Sequence, residues 1–279
     1  MPLGLSLKLS SGGGADSPYS AEAQAYFAAM TTQGGAAYKT AVNAFIEQLK
    51  SDGVWASLDS MHLFANKNDS TDAVPASWIN MISPSDAKAA KIGAPTYVAY
   101  QGWKGATASA INLNQYLTGR AKYKLNSASV FVYVYTNPAN GYVATVGAYN
   151  DTTQQTFLMH RFDANGSIRA ALNSSLPDLT GITNNGVGLY CLNRTANTGF
   201  DIYKDGSFLG AVTASSGTIP TAPVYALASN VWNAGTSTYD PKVEAANRVV
   251  SLVGFGAQMD ATKQLKLSQA FATYMAAAK

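Results

Sequence analysis

Apolar and polar residues recur with two different periods along this chain, and the change of period divides it. Near the amino terminus Ser20 can cap a helical segment over residues 21–30, and Tyr38, Val42, Phe45, Ile46 and Leu49 fall at helical spacing up to Gly53. From about Met61 onward the runs shorten to period two and are separated by clusters of Asn, Gly, Pro and Asp, which predicts an antiparallel sandwich or barrel. In SVFVYVYTN, Val130, Val132 and Val134 share one face and Phe131, Tyr133 and Tyr135 the other, so both faces are expected to be covered. The segment 137–141 then turns the chain into a second strand. Further strands are expected at 156–162, with a turn at Asn165-Gly166, and at 187–192, 224–228 and 249–255.

The stretch FDIYKDGSFLG, residues 200–210, reads as a hairpin. Asp205-Gly206 favours the tight primed turn, with Phe200 and Ile202 on one face of the first strand and Asp201 and Tyr203 on the other. A last helix is capped by Asp260 and is expected to present Leu265, Leu267, Phe271, Tyr274 and Met275 inward. At the other end, Leu3, Leu5, Leu7 and Leu9 alternate with polar or small residues until Ser11-Gly12-Gly13-Gly14. Such a strand can complete the sheet of a neighbouring subunit by main-chain pairing, or fold back onto its own domain. The resulting division is 1–19, a strand and Gly-rich linker with the character of a docking arm; 20–60, a helical lead-in; and 61–279, the β domain with its terminal helix.

Composition narrows the partners. Hydrophobic residues make up 47% of the 279, enough for a large core, whereas charged residues are only 13%, about half the roughly 25% usual for soluble domains. Ser, Thr, Asn, Gln, Gly and Tyr must therefore wet the surface. A net charge of +3 without a basic run gives no reason to expect nucleic acid or an acidic membrane as partner. The single cysteine cannot form an internal disulfide, and Cys191, in phase with Val187 and Leu189, reads as an inert buried thiol. No export signal and no run of about 18 apolar residues is visible, so no membrane span is expected.

Several pieces, taken in order, carry a resemblance. They are a helix leading into Asp52-Gly53-Val54-Trp55 and Leu58-Asp59, then Trp78-Ile79-Asn80-Met81-Ile82, then Ala94-Pro95-Thr96-Tyr97 and Gly102-Trp103-Lys104-Gly105. The hairpin from Gly199 to Gly210 and the strand from Val249 that leads into the Asp260 helix complete the set. Over residues 52–277 this arrangement resembles bacteriophage and prophage virion proteins carrying a concanavalin A-like (lectin/glucanase, laminin G-like) jelly roll. The resemblance implies a mainly β, antiparallel jelly-roll β-sandwich with an N-terminal helical lead-in and a C-terminal helix. It also implies a place in the virion, as a tail, fibre or capsid-associated part in contact with other virion proteins and copies of itself, with Leu3, Leu5, Leu7 and Leu9 as assembly residues.

Catalytic layouts are scarce. Sugar-cleaving enzymes on this sandwich resemble one another in placing acids at alternating positions of one strand, so that two carboxylates flank the glycosidic bond. The three glutamates here, Glu22, Glu47 and Glu244, form no such strand. His62 and His160 make no ligand pattern for zinc, and neither a Gly-x-Ser-x-Gly elbow nor a phosphate loop is present. The expectation is accordingly no enzyme and no cofactor. Calcium stays open, because the lectin-like modules often hold it in loops. The oxygen-rich candidate is Asn68-Asp69-Ser70-Thr71-Asp72, with Asp69 and Asp72 as ligands, although one short cluster supplies fewer ligands than calcium takes and reads first as a solvated turn. Two functions follow: a structural virion component, or a module that recognises a bacterial or host-surface glycan. For the second, Tyr133, Tyr135, Tyr149 and Trp232 would offer aromatic faces beside Asn230 and Asn233.

Overall fold

The computed structural model describes residues 17–32, 34–66, 75–106, 108–136, 144–151, 154–160, 166–175, 182–183, 186–233, 238–241 and 248–278. Leu3, Leu5, Leu7 and Leu9, the calcium candidates Asp69 and Asp72, the turn at 137–141 and Glu244 lie outside them.

Two helices come first, α1 (Ala21–Ala28) and α2 (Ala36–Ser51), followed by β1 (Leu58–Leu63), β2 (Ala90–Ile92), β3 (Thr96–Val98) and β4 (Gly102–Lys104). Next are β5 (Ala110–Tyr116), β6 (Ala128–Val134), β7 (Val146–Asp151), β8 (Gln154–His160) and β9 (Ile168–Ser174). Then come β10 (Gly188–Arg194), β11 (Gly199–Lys204), β12 (Ser207–Thr213), β13 (Pro223–Ala226), β14 (Asn230–Asn233) and β15 (Thr238–Pro241), and the chain closes with β16 (Val249–Gly256) and α3 (Ala261–Ala277). The caps are those the sequence offers: Ser20 Oγ accepts from Ala23 N, and Asp260 Oδ1 accepts from Lys263 N.

The strands form two sheets. One runs β12-β11-β10-β6-β16-β4-β3, and β16 is long enough to pair along a single edge first with β4 and then with β1. The other runs β15-β14-β7-β13-β5-β2, with β8 on β7 and β9 on β8. Pairing is antiparallel except between β14 and β7, because the chain reverses after β13 through Leu227, which has φ +69°. This parallel pair departs from the wholly antiparallel expectation.

Alternation on β6 divides the interior as its sequence suggests. Val130, Val132 and Val134 point into the space between the sheets, with Val253, Phe255, Val146, Leu158 and Leu172. Phe131 points the other way, into a second core shared with α1, α2 and α3 through Tyr26, Phe45, Leu49, Leu267 and Phe271. The helices are thus a third layer packed on one sheet. In α3, Leu267, Phe271 and Tyr274 are buried as expected, but Leu265 is 41% exposed. It lies two residues before Leu267, about 200° round the helix, and cannot share its face. Several strands give little signal by period alone: β5 alternates Ile111 and Leu113 with Asn112 and Asn114 but puts Gln115 at its third inward position, and β2, β3 and β4 are three residues each.

Candidate functional site

The first two strands of interest, β11 and β12, form the outer hairpin of the helix-bearing sheet. Phe200 and Ile202 are buried between the sheets, which leaves Asp201 and Tyr203 on the opposite face. Asp205 and Gly206 adopt φ +50° and +79°, the geometry of the tight turn that Asp-Gly favours. Asp205 Oδ1 accepts from Leu189 N at 2.8 Å, which ties the turn to β10. A Cβ on Gly206 would lie 2.5 Å from Leu265 Cα, so the turn also rests directly on α3.

At the opposite end of the hairpin the loop from β10 to β11 is held from beneath. Arg194 is fully buried; its Nε donates to Leu172 O (2.8 Å), Nη1 to Ala196 O (3.2 Å) and Nη2 to Ala214 O (3.0 Å), and its guanidinium lies 5.5 Å from the Phe200 ring centre. One side chain thereby fixes a strand of the second sheet, the loop and the end of β12. Above it opens a cleft of about 310 Å³, lined by Thr195, Thr198, Asp201, Ala211 and Thr213 and by the backbone at Gly199 and Phe200. Asp201 is its one carboxylate. Partial burial lifts that carboxyl above the usual range, and the hydrogen bond with Tyr203 pulls in the opposite direction.

Other polar groups serve the fold. Asp59 accepts from Lys122 N and, at 2.6 Å, from Tyr123 N; Asp86 accepts from Ser83 Oγ (2.7 Å) and Asn80 Nδ2 (3.0 Å) and faces Arg120 at 3.5 Å. Glu22 and Glu47 both pair with Lys50 on the helices. A groove of about 320 Å³ between α2 and α3 is lined by small residues such as Ala41 and Ala270 and by Phe45 and Tyr274, with Asp52 and Lys266, 4.0 Å apart, also on its wall. Among the described residues no three His, Cys, Asp or Glu side chains converge as a metal site would require. No helix among them is long and apolar enough to cross a membrane. Cys191 is buried, and burial pushes its thiol far up from the ordinary value.

The structure divides the candidates read from the sequence between the two sheets: Tyr133 belongs to one, and Tyr149, Asn230, Trp232 and Asn233 to neighbouring strands of the other. Tyr133 lies under the helical layer, its ring 4.8 Å from that of Phe271, and Tyr135 follows it at the end of β6. Tyr149 is on β7 in the other sheet, where Asn230, Trp232 and Asn233 occupy the neighbouring strand β14 and Val231 is the register partner of Tyr149. The helix that covers Tyr133 is α3, at the far end of the chain. The cleft residues Asp201, Thr195, Thr198 and Thr213 were not singled out as binding residues. The one local signal for them is the alternation in FDIYKDG, which turns Asp201 and Tyr203 away from the space between the sheets, Tyr203 packing partly against the helical layer.

The two stacked sheets, with antiparallel order and a terminal helix, have counterparts among solved structures. Domain 4 of an extracellular GH43 arabinanase from Geobacillus stearothermophilus, solved in complex with arabinotriose, matches at a TM-score of 0.50 and 15% identity, over 76% of this chain and 98% of that one. A mutant Trypanosoma rangeli sialidase displaying trans-sialidase activity matches at a TM-score of 0.52 and 12% identity, over 84% of this chain and 39% of that one. The fold is a jelly-roll β-sandwich. At these identities the likeness is one of fold, and the chain spans well under half of the sialidase. No protein-family model matches the sequence, and no curated protein matches it either.

Proposed function

We propose that this protein is a non-enzymatic β-sandwich module that binds carbohydrate, and that the cleft above Arg194 is its binding site. The lining of that cleft carries the reading: three threonines and one carboxylate, with no lysine or arginine among the lining residues. Hydroxyls that both donate and accept, beside a carboxylate that accepts, match the hydroxyl pattern of a sugar. A lone acid lacks the partner that glycosidic cleavage uses, which is why the reading is binding and not hydrolysis. The fold likeness to a domain solved with arabinotriose supports it.

Glycan-array screening followed by calorimetry, with and without added calcium, tests the proposal. Reproducible binding is expected, and Asp201→Ala should weaken it about tenfold, the equivalent of about 1.4 kcal/mol. Silence across plant and bacterial polysaccharides would remove the reading.

The order of motifs in the sequence favours a second reading, in which the module works inside a bacteriophage particle as a tail, fibre or capsid-associated part. On that reading the Leu3, Leu5, Leu7 and Leu9 strand docks it to other virion proteins or to copies of itself. Removing residues 1–14 should then impair incorporation into particles, and unimpaired assembly would count against the docking arm.

A further inference from the structure

We infer that the cleft is one end of a longer site, which continues along the hairpin to Tyr203 and Phe208 and takes a linear, neutral oligosaccharide. The inference rests on the carbohydrate-binding reading above and adds to it the shape and charge of the ligand.

Three register pairs on β11 and β12 face the same way: Gly199 with Thr213, Asp201 with Ala211, and Tyr203 with Phe208. From Gly199 to Tyr203 the strand rises about 13 Å, room for roughly two to three sugar rings end to end. The chemistry changes along that length. Thr198 and Thr213 lie at the cleft end, Asp201 in the middle, and the rings of Tyr203 and Phe208 at the far end, 5.6 Å apart and edge to face. Ala211, opposite Asp201, has only a methyl group, so the middle of the trough stays shallow and open.

Phe208 is 58% exposed, the largest value among the exposed large hydrophobic residues described, and lies on β12. A bulge in the ladder between Ile202 and Tyr203 sets its ring beside Tyr203, on the face that carries Asp201. Leu265 of α3 borders the same end, since the turn at Gly206 rests on it. An apolar platform with hydroxyl-bearing groups further along suits a sugar chain, whose rings present C–H faces to aromatics and hydroxyls at their edges.

The charge points to a neutral chain. Lys204, the nearest cation on the hairpin, lies 5.9 Å from the Tyr190 ring centre, and Tyr190 is in the core between the sheets, behind this face. The charged groups described on this face of the hairpin are thus two carboxylates, Asp201 in the middle and Asp205 at the turn, where it accepts from Leu189 N, and a chain of uronic acids would meet them with like charge.

Calorimetry with linear arabino-, cello- and β-1,3-gluco-oligosaccharides of one to five units tests the inference, with oligogalacturonates as the acidic arm. Affinity in the neutral series that binds should rise at least tenfold from one unit to three and then level off. Phe208→Ala should flatten that dependence, while Tyr116→Ala, an exposed aromatic on the other sheet, should not. Length-independent affinity, an unaffected length dependence in Phe208→Ala, or preference for the oligogalacturonates would overturn the extended neutral site and leave the carbohydrate reading standing. Failure of every oligosaccharide to bind would overturn both. Phe208 is exposed, so unchanged thermal melting of Phe208→Ala separates lost contact from lost fold.

Discussion

His62 lies on β1 on the face it shares with Val253 and Phe64, with Nδ1 3.3 Å from the Ser77 carbonyl oxygen. Burial pushes its pKa down from 6.5 to about 4, helped by Lys88 and Arg120 and opposed by the Ser77 contact and by Asp86. The folded protein therefore holds this ring neutral where the unfolded chain protonates it. Stability from this source is complete above pH 6.5 and is lost as the pH falls towards 4, by about 3 kcal/mol in all. Urea unfolding of wild type and His62→Phe at pH 7 and pH 4.5 should show the variant gaining on wild type by about 2 to 3 kcal/mol at the lower pH. A gap independent of pH would refute the assignment. In the sequence His62 was legible only as a histidine without a ligand pattern; that it is sealed between sheets depends on β16, nearly two hundred residues later.

Among elements, the β11–β12 hairpin was legible almost entirely. Its two strands, the Asp-Gly turn and the facing of Phe200, Ile202, Asp201 and Tyr203 all follow from short-range rules. What local rules leave out is its seat on α3. Gly206 has φ +79° and no room for a Cβ against Leu265 Cα, so Gly206→Ala combines backbone strain with a clash. It should cost about 1 to 3 kcal/mol in chemical denaturation, and a cost near zero would show that the turn is free of the helix. For α3 the cap at Asp260 and the buried Leu267, Phe271 and Tyr274 are legible, whereas the apolar character of Leu265 suggests an inward position that its phase on the helix forbids. β5 is hard to read for a different reason: Ile111 and Leu113 alternate with Asn112 and Asn114, but a buried Gln115 takes the next inward position and leaves the apolar run only two residues deep.

For the whole molecule, the helical lead-in and the sheets share one interior. Among the described residues the buried members of both cores lie between Ala23 and Tyr274, and deleting residues 1–14 should leave the melting temperature unchanged. A drop of several degrees in thermal unfolding would mean that the segment belongs to the folded unit. The two-sheet plan was legible from the count and spacing of alternating runs, but the partner of each strand was not. That β6 sits between β10 and β16, and that Tyr133 and Tyr149 belong to different sheets, follow from pairings between distant segments.

The amino-acid sequence by itself determined the elements whose causes are local: caps at Ser20 and Asp260, alternation in β6 and β11, the Asp205-Gly206 turn, and the shortage of paired acids. Tertiary structure alone decided which residues meet. It set Arg194 beneath the loop that carries Thr195 and Thr198, brought Phe208 beside Tyr203, and half-buried Tyr133 against α3. Side-chain period and turn preference act over a few residues of backbone, whereas a binding cleft is made where strands far apart in sequence are brought into register by burying a common face.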